Sequence, residues 1–239
     1  MTPVLSVEAL HKRFGGVLAV QGVDLAVAPG ELLGLFGPNG AGKTTLFNLI
    51  AGTFAPDRGR VALNGIDVTG LSAFRRARAG IARTFQVCRP FRSMTVAENV
   101  NVALTGSILR GRNERAHILG ILDAVGLVSR ADDAAATLTL GMLKRLEVAR
   151  ALALEPKLFL LDEPLAGLSG GETGELLDCI RGLKERAAII FVDHNVRQSL
   201  KICDRAIVMD RGEVIATGTP DDIRRDVRVR VAYLGEDGA

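Results

Sequence analysis

Three near-continuous apolar runs organise the chain: Leu32-Leu33-Gly34-Leu35-Phe36, Leu158-Phe159-Leu160-Leu161 and Ala188-Ile189-Ile190-Phe191-Val192. Each has the length of a strand, and an unbroken apolar run suits a strand covered on both faces, as in a parallel sheet. Between Leu5 and Val27 the pattern instead alternates, with Leu5 and Val7 and later Val23, Leu25 and Val27, before Pro29-Gly30. That spacing predicts strands and a turn. Val61-Ala62-Leu63 and Ile66-Asp67-Val68 flank Asn64-Gly65, a pair that favours the type I′ turn of a hairpin. From about Ser72 through Leu154 the spacing predicts helices. Arg115 to Val125 is one, with Ile118, Ile121, Leu122 and Val125 on a single face.

Polar residues with chemistry follow each apolar run, and ligands in open α/β sheets gather beyond the carboxyl ends of such strands. After the first run comes Gly37-Pro38-Asn39-Gly40-Ala41-Gly42-Lys43-Thr44, then a plausible helix from Thr45 to Ala51. The stretch fits the phosphate-binding pattern G-x-x-x-x-G-K-[ST]. A strand feeding a glycine loop that opens a helix brings several backbone N–H groups to one point, where they attract an anion. Gly37, Asn39, Gly40, Ala41, Gly42, Lys43, Thr44 and Thr45 are therefore the expected cradle for a nucleotide. Lys43 would meet the β- and γ-phosphates, and the Thr44 hydroxyl would hold Mg²⁺.

The second run ends in Asp162-Glu163. Taken alone, such a pair reads as a helix cap or a solvated turn. Beside a phosphate loop and at the end of an apolar strand, Asp162 is expected to bind Mg²⁺ directly or through water. Glu163 is then placed to polarise an attacking water. The third run ends in Asp193-His194.

Composition narrows the classes further. The 239 residues are enough for a sizeable core, and 48% hydrophobic against 24% charged is globular usage. A net charge of +3 without a long basic block does not argue for nucleic acid. Cys88, Cys179 and Cys203 stand far apart with no C-x-x-C, which suits a reducing compartment and argues against a zinc site. No apolar run has the length of a membrane span, and no signal-peptide pattern stands at the N-terminus. Any membrane role is therefore expected to come through a partner.

With these motifs in order, the chain resembles an ABC-transporter ATP-binding subunit over nearly its whole length. The order of the phosphate loop, Gln86 after a strand, Leu161-Asp162-Glu163-Pro164 and His194 carries the likeness. The resemblance makes Gln86 a contact to Mg²⁺ or the attacking water and to the membrane subunit. It makes His194 a γ-phosphate contact and Phe14 the aromatic that stacks on adenine. The family's signature motif is close to Leu-Ser-Gly-Gly-Gln. Here its place holds Leu138-Thr139-Leu140-Gly141-Met142, followed by a well-matched helix from Leu143. Thr139 keeps a hydroxyl and Gly141 a close backbone approach, so both are expected nucleotide contacts. Leu140 replaces a glycine, and Met142 replaces a polar side chain with a very weak acceptor. Leu168-Ser169-Gly170-Gly171-Glu172 looks more like the signature, but it falls in the D-loop position, and no long basic amphipathic helix is expected after it.

The fold so implied is α/β: a P-loop NTPase core of the ABC ATPase type, with an antiparallel β subdomain and an inserted α-helical subdomain. Residues 1–239 would form one ATP-binding domain, with 1–86 and 154–239 as core and 87–153 as the helical part. The implied ligands are ATP and Mg²⁺. The implied partners are a second ABC ATP-binding subunit and integral membrane permease subunits, with no nucleic acid. The implied place is the cytoplasmic face of the inner membrane, peripherally. Ala82-Arg83-Thr84-Phe85-Gln86, the stretch from Phe91 to Val100, Gly218-Thr219-Pro220 and Ala232-Tyr233-Leu234-Gly235 are similar to the branched-chain amino-acid importer subunits. Two alternatives stay open: a soluble or regulatory ABC ATPase, and a catalytically weak cassette with a degenerate signature. A GTPase would need an Asn-Lys-x-Asp motif, which the sequence lacks.

Overall fold

The apolar runs become the buried strands of one sheet. The computed structural model describes residues 2–84, 89–104 and 114–234. In chain order its elements are β1 (Leu5–Phe14), β2 (Val17–Val27), β3 (Leu32–Phe36), α1 (Lys43–Ala51), β4 (Arg58–Leu63), β5 (Ile66–Asp67), α2 (Ala73–Ala79) and β6 (Ile81–Arg83). Then come α3 (Val96–Leu104), α4 (Glu114–Ala124), α5 (Leu140–Leu152), β7 (Leu158–Asp162), α6 (Gly170–Leu183), β8 (Ala188–Val192) and α7 (Val196–Ser199). The last are β9 (Arg205–Asp210), β10 (Glu213–Gly218), α8 (Pro220–Arg225) and α9 (Val227–Leu234).

Every residue of β3, β7 and β8 is buried, as runs covered on both faces require. The six-stranded sheet has the order β10-β9-β3-β8-β7-β6, parallel except for the antiparallel edge pair β9-β10. Leu35 pairs with Val192 and Val192 with Asp162. That register sets the carboxyl ends of β3, β8 and β7 side by side, so their three polar termini open on one edge. The alternating N-terminal pattern becomes a second, antiparallel sheet of order β2-β1-β4-β5. Its hairpin turns at Asn64 and Gly65, both at positive φ, the type I′ arrangement.

Two apolar cores flank the large sheet. One lies between it and the small sheet, around α1, and includes Leu5, Val20, Leu46, Phe47 and Leu160. The other lies against α3 to α6 and includes Val100, Leu122, Leu146, Leu176 and Phe191. Phe36 meets Phe191 edge to face at 6.0 Å. Fully buried side chains of this kind each contribute about 1.5–3 kcal/mol.

The stretch expected to be helical from Ser72 to Leu154 is interrupted. Ile81–Arg83 forms β6, whose Ala82 pairs with Phe159 of β7. Three residues are too few to show a period of two, so the strand expected before Gln86 is marked only by the order of the motifs around it.

Candidate functional site

The phosphate loop is held in place by its glycines and by the strands around it. Gly42 has φ 100°, and a Cβ there would stand 2.2 Å from the carbonyl oxygen of Ala19. No other residue fits that approach. Gly212 N–H donates to Ala41 O at 3.0 Å, and Gly37 N–H donates to the Tyr233 hydroxyl at 2.7 Å. The Lys43 ammonium folds back on its own loop, donating to Gly37 O at 2.7 Å and Pro38 O at 2.8 Å. Burial pulls the Lys43 pKa down, and the Glu163 carboxylate opposes that shift. Those two carbonyls hold the cation over the loop, where an incoming anion can exchange for them.

A cleft of about 640 Å³ opens above the loop. Gly16, Val17 and Leu18 line it at the β1–β2 turn, followed by residues 39–45, and Glu163 and His194 close the far side. Arg211, which sequence reasoning missed, also lines it. It sits in the β9–β10 turn at φ 47°, with its side chain 87% exposed. Nothing in its sequence context marks it, because the cleft is completed only when β9 packs beside β3.

Glu163 stands just past β7 in a left-handed conformation, φ 46°, which costs a non-glycine residue about 1–2 kcal/mol. Its N–H donates to Val192 O at 2.8 Å, which holds the turn. The strained turn aims the carboxylate at His194, whose Nε2 lies 2.8 Å from Glu163 Oε1. Asp193 is buried and accepts from Leu165 N–H at 3.0 Å and Asn195 N–H at 2.8 Å, tying the loops after β7 and β8 together. Burial raises its pKa, against the two amides.

Asp162 is 9% exposed and is not among the residues that line the cleft. Its Oδ2 accepts from Arg83 Nη2 at 2.7 Å, and its N–H donates to Thr84 Oγ1 at 3.3 Å. Oδ1 takes no hydrogen bond from the described residues. The open Asp162 carboxylate oxygen and the exposed Thr44 hydroxyl in the first turn of α1 are hard oxygen donors, the type that fits Mg²⁺. No group of three or more His, Cys, Asp or Glu stands together among the described residues. Phosphate oxygens and water would therefore complete the coordination, the usual arrangement for this ion. Gln86 lies outside the described residues.

Phe14 is 44% exposed at the end of β1. It packs edge to face on Phe54 at 5.4 Å, with the Lys12 ammonium 5.5 Å from its ring. It stands two residues before the cleft lining begins at Gly16 and is not among the lining residues. Thr139 and Gly141 are also apart from that cleft. Thr139 is the N-cap of α5, its hydroxyl accepting from Met142 N–H at 3.3 Å. Gly141 N–H donates to Glu172 Oε1 at 3.2 Å, and a Cβ on Gly141 would come within 3.0 Å of Glu172. Two amides at the start of α5 thus already have acceptors within this chain. Ser169 caps α6 through a reciprocal box with Glu172. The 14-residue α6 does follow the second signature-like stretch, but its early charges are Glu172, Glu175 and Asp178, acidic and not basic.

A family model described as "ABC transporter" matches residues 20–166. A second, described as "Branched-chain amino acid ATP-binding cassette transporter", matches residues 213–239. The chain is 40% identical to the high-affinity branched-chain amino acid transport ATP-binding protein LivG of Escherichia coli K12, over 98% of each chain. It is 38% identical to the lipopolysaccharide export system ATP-binding protein LptB of Acidithiobacillus ferridurans, over 99% of this chain and 98% of that one. It superposes on the ADP conformation of MJ1267, an ATP-binding cassette of an ABC transporter, with a TM-score of 0.89. That pair is 30% identical and covers 99% of this chain and 100% of the other.

Proposed function

The chain belongs to the ABC transporter ATP-binding family, and we propose that it hydrolyses ATP to drive import of branched-chain amino acids or similar small polar solutes. The observation that carries the cargo reading is the match of residues 213–239 to the branched-chain amino-acid type, joined to the 40% identity with LivG.

In this reading the triphosphate lies along residues 39–45 and the Lys43 ammonium leaves Gly37 O and Pro38 O for the β- and γ-phosphates. Backbone amides of the loop and the start of α1 share the charge. Thr44 and Asp162 would hold Mg²⁺, which when bound would neutralise charge on the triphosphate. Glu163 accepts a hydrogen bond, and then the proton, from the attacking water, and His194 keeps its carboxylate turned into the cleft and meets the γ-phosphate. Gln86 is a second contact to the ion or the water, and Phe14 a stacking face for adenine. Thr139 and Gly141 would meet ATP on a second ATP-binding subunit. The permease subunits would hold the chain at the cytoplasmic face of the membrane. No helix among the described residues is long and apolar enough to cross it.

Purification of the tagged chain from membranes, with identification of the bound subunits, tests the cargo reading. Branched-chain permease subunits, and uptake of labelled leucine that requires this chain, are the expected result. The 38% identity with LptB supports a second reading, lipopolysaccharide export. Recovery with lipopolysaccharide-export membrane subunits, and leucine uptake indifferent to the chain, would favour that one.

A further inference from the structure

Arg83 ends β6 and has no part in the mechanism above, yet it grips the ion's expected ligand. Its Nη1 donates to Asn48 Oδ1 at 2.5 Å and its Nη2 to Asp162 Oδ2 at 2.7 Å. Its guanidinium carbon lies 5.5 Å from the Phe47 ring centroid. The Arg83 and Asp162 side chains are only 16% and 12% exposed. Phe47 and Asn48 belong to α1, the helix whose first turn presents Thr44. Arg83 therefore spans the two elements that carry the two protein oxygens, α1 and β7.

Two effects oppose each other. A fixed cation beside Asp162 repels a divalent ion and should weaken its binding. A charge-assisted bond to one carboxylate oxygen fixes the rotation of the group and turns the other oxygen out, which should strengthen it. Arg83 is held at Asn48, at Asp162 and over Phe47, and Thr84 Oγ1 fixes the Asp162 backbone from the same strand end. So anchored, the guanidinium holds the carboxylate in one rotation before and after the ion arrives, while its own charge is already met by Asp162 Oδ2 and the Asn48 side-chain carbonyl; orientation therefore outweighs repulsion. We propose that Arg83 is a positioning residue for Mg²⁺: it holds Asp162 Oδ2 so that Oδ1 faces the ion, and it sets the span between α1 and β7. This rests on the reading of Asp162 as a ligand of the ion.

The two effects predict opposite signs, so one titration separates them. The readout is the Mg²⁺ concentration that half-saturates binding of a non-hydrolysable ATP analogue to the full chain, followed by calorimetry. Mn²⁺ binding seen by electron paramagnetic resonance is a second readout. Arg83→Met removes the charge and keeps the bulk; Arg83→Lys keeps the charge but cannot reach Asn48 and Asp162 together. Both should raise the half-saturating Mg²⁺ about tenfold or more, with metal-free binding of the analogue unchanged. A requirement that is unchanged or lowered in Arg83→Met overturns the inference. Asp162→Asn is the control. If it leaves the Mg²⁺ requirement untouched, the ligand reading falls and this inference with it. If it raises the requirement and Arg83→Met does not, only the role of Arg83 falls. Should Arg83→Met not fold, Asn48→Ala frees the Nη1 end alone, and the same titration decides in the same way.

Discussion

Lys43 and Glu163 face each other across the cleft, and each is held in a costly arrangement by the loop around it. The Lys43 ammonium is buried on two carbonyls, and the Glu163 backbone is left-handed. Replacing Lys43 by Ala removes the point charge nearest the transferred phosphate. ATP affinity measured by calorimetry is expected to fall by more than about tenfold, or about 1.4 kcal/mol. Unchanged affinity in a folded variant would refute the assignment of the phosphate loop. Glu163→Gln keeps the size and the bond to His194 and loses the basicity. Hydrolysis should drop by about 10²–10⁴ with ATP binding retained. Turnover at the wild-type rate would mean that another group orients the water. The residues legible in the sequence were those inside short motifs, such as Lys43, Asp162 and Glu163. Arg83 and Arg211 were not, because each reaches its place through pairing with strands far along the chain. Arg83 meets Asp162 across 79 residues.

Helix α1 shows how an element carries its site. Its first turn belongs to the phosphate loop, and its far end is capped by a side chain from outside the helix. Arg76 is 1% exposed, and Nη1 donates to Leu49 O at 2.6 Å and Ile50 O at 2.8 Å. Nη2 and Nε reach Thr69 O at 2.7 Å and Leu71 O at 3.1 Å. A cation at the carbonyl end of a helix is favourable, and the planar fork satisfies four carbonyls at once, two of them in buried bonds. Arg76→Lys cannot match that geometry and should cost about 2–4 kcal/mol in urea unfolding. Thr139→Ala, which removes the α5 cap and a hydrogen bond to Glu172, should cost about 1 kcal/mol. Equal losses would show that the Arg76 bonds are not what holds the end of α1. Neither arginine nor its partners form a local pattern, so no spacing in the sequence announces this cap.

At the scale of the whole molecule, the long buried strands were readable because a parallel sheet writes itself as unbroken apolar runs. The bounds of the three-residue β6 were not, because so short a strand shows no period of its own; Thr139 and Gly141 lie outside the cleft lining, as expected of a motif that meets the nucleotide of a second subunit. The first amides of α5 are already bonded to Thr139 and Glu172, and Leu140 and Met142 stand in place of a glycine and a polar residue, so we expect a weak clasp on a second nucleotide. We expect it to work beside a non-identical cassette with a signature nearer the family pattern. Leu140→Gly with Met142→Gln should raise ATPase activity of the isolated chain and have little effect once the partner is present. A robust wild-type ATPase in the homodimer, not raised by that restoration, would exclude the heteromeric arrangement.

The hydrogen bond from Gly37 to Tyr233 joins residues 196 positions apart, and that separation has a meaning in time. During synthesis at about 5–20 residues per second, Tyr233 is added roughly 10–40 s after Gly37. β3 meanwhile waits, apolar on both faces, for β8 and β9 to arrive on its two sides. A ribosome stalled after β7 therefore carries a complete phosphate-loop sequence with no sheet to stretch it over. Such a nascent chain should be cleaved readily by protease in the loop whether or not ATP is present, and nucleotide protection should appear only after the later strands emerge.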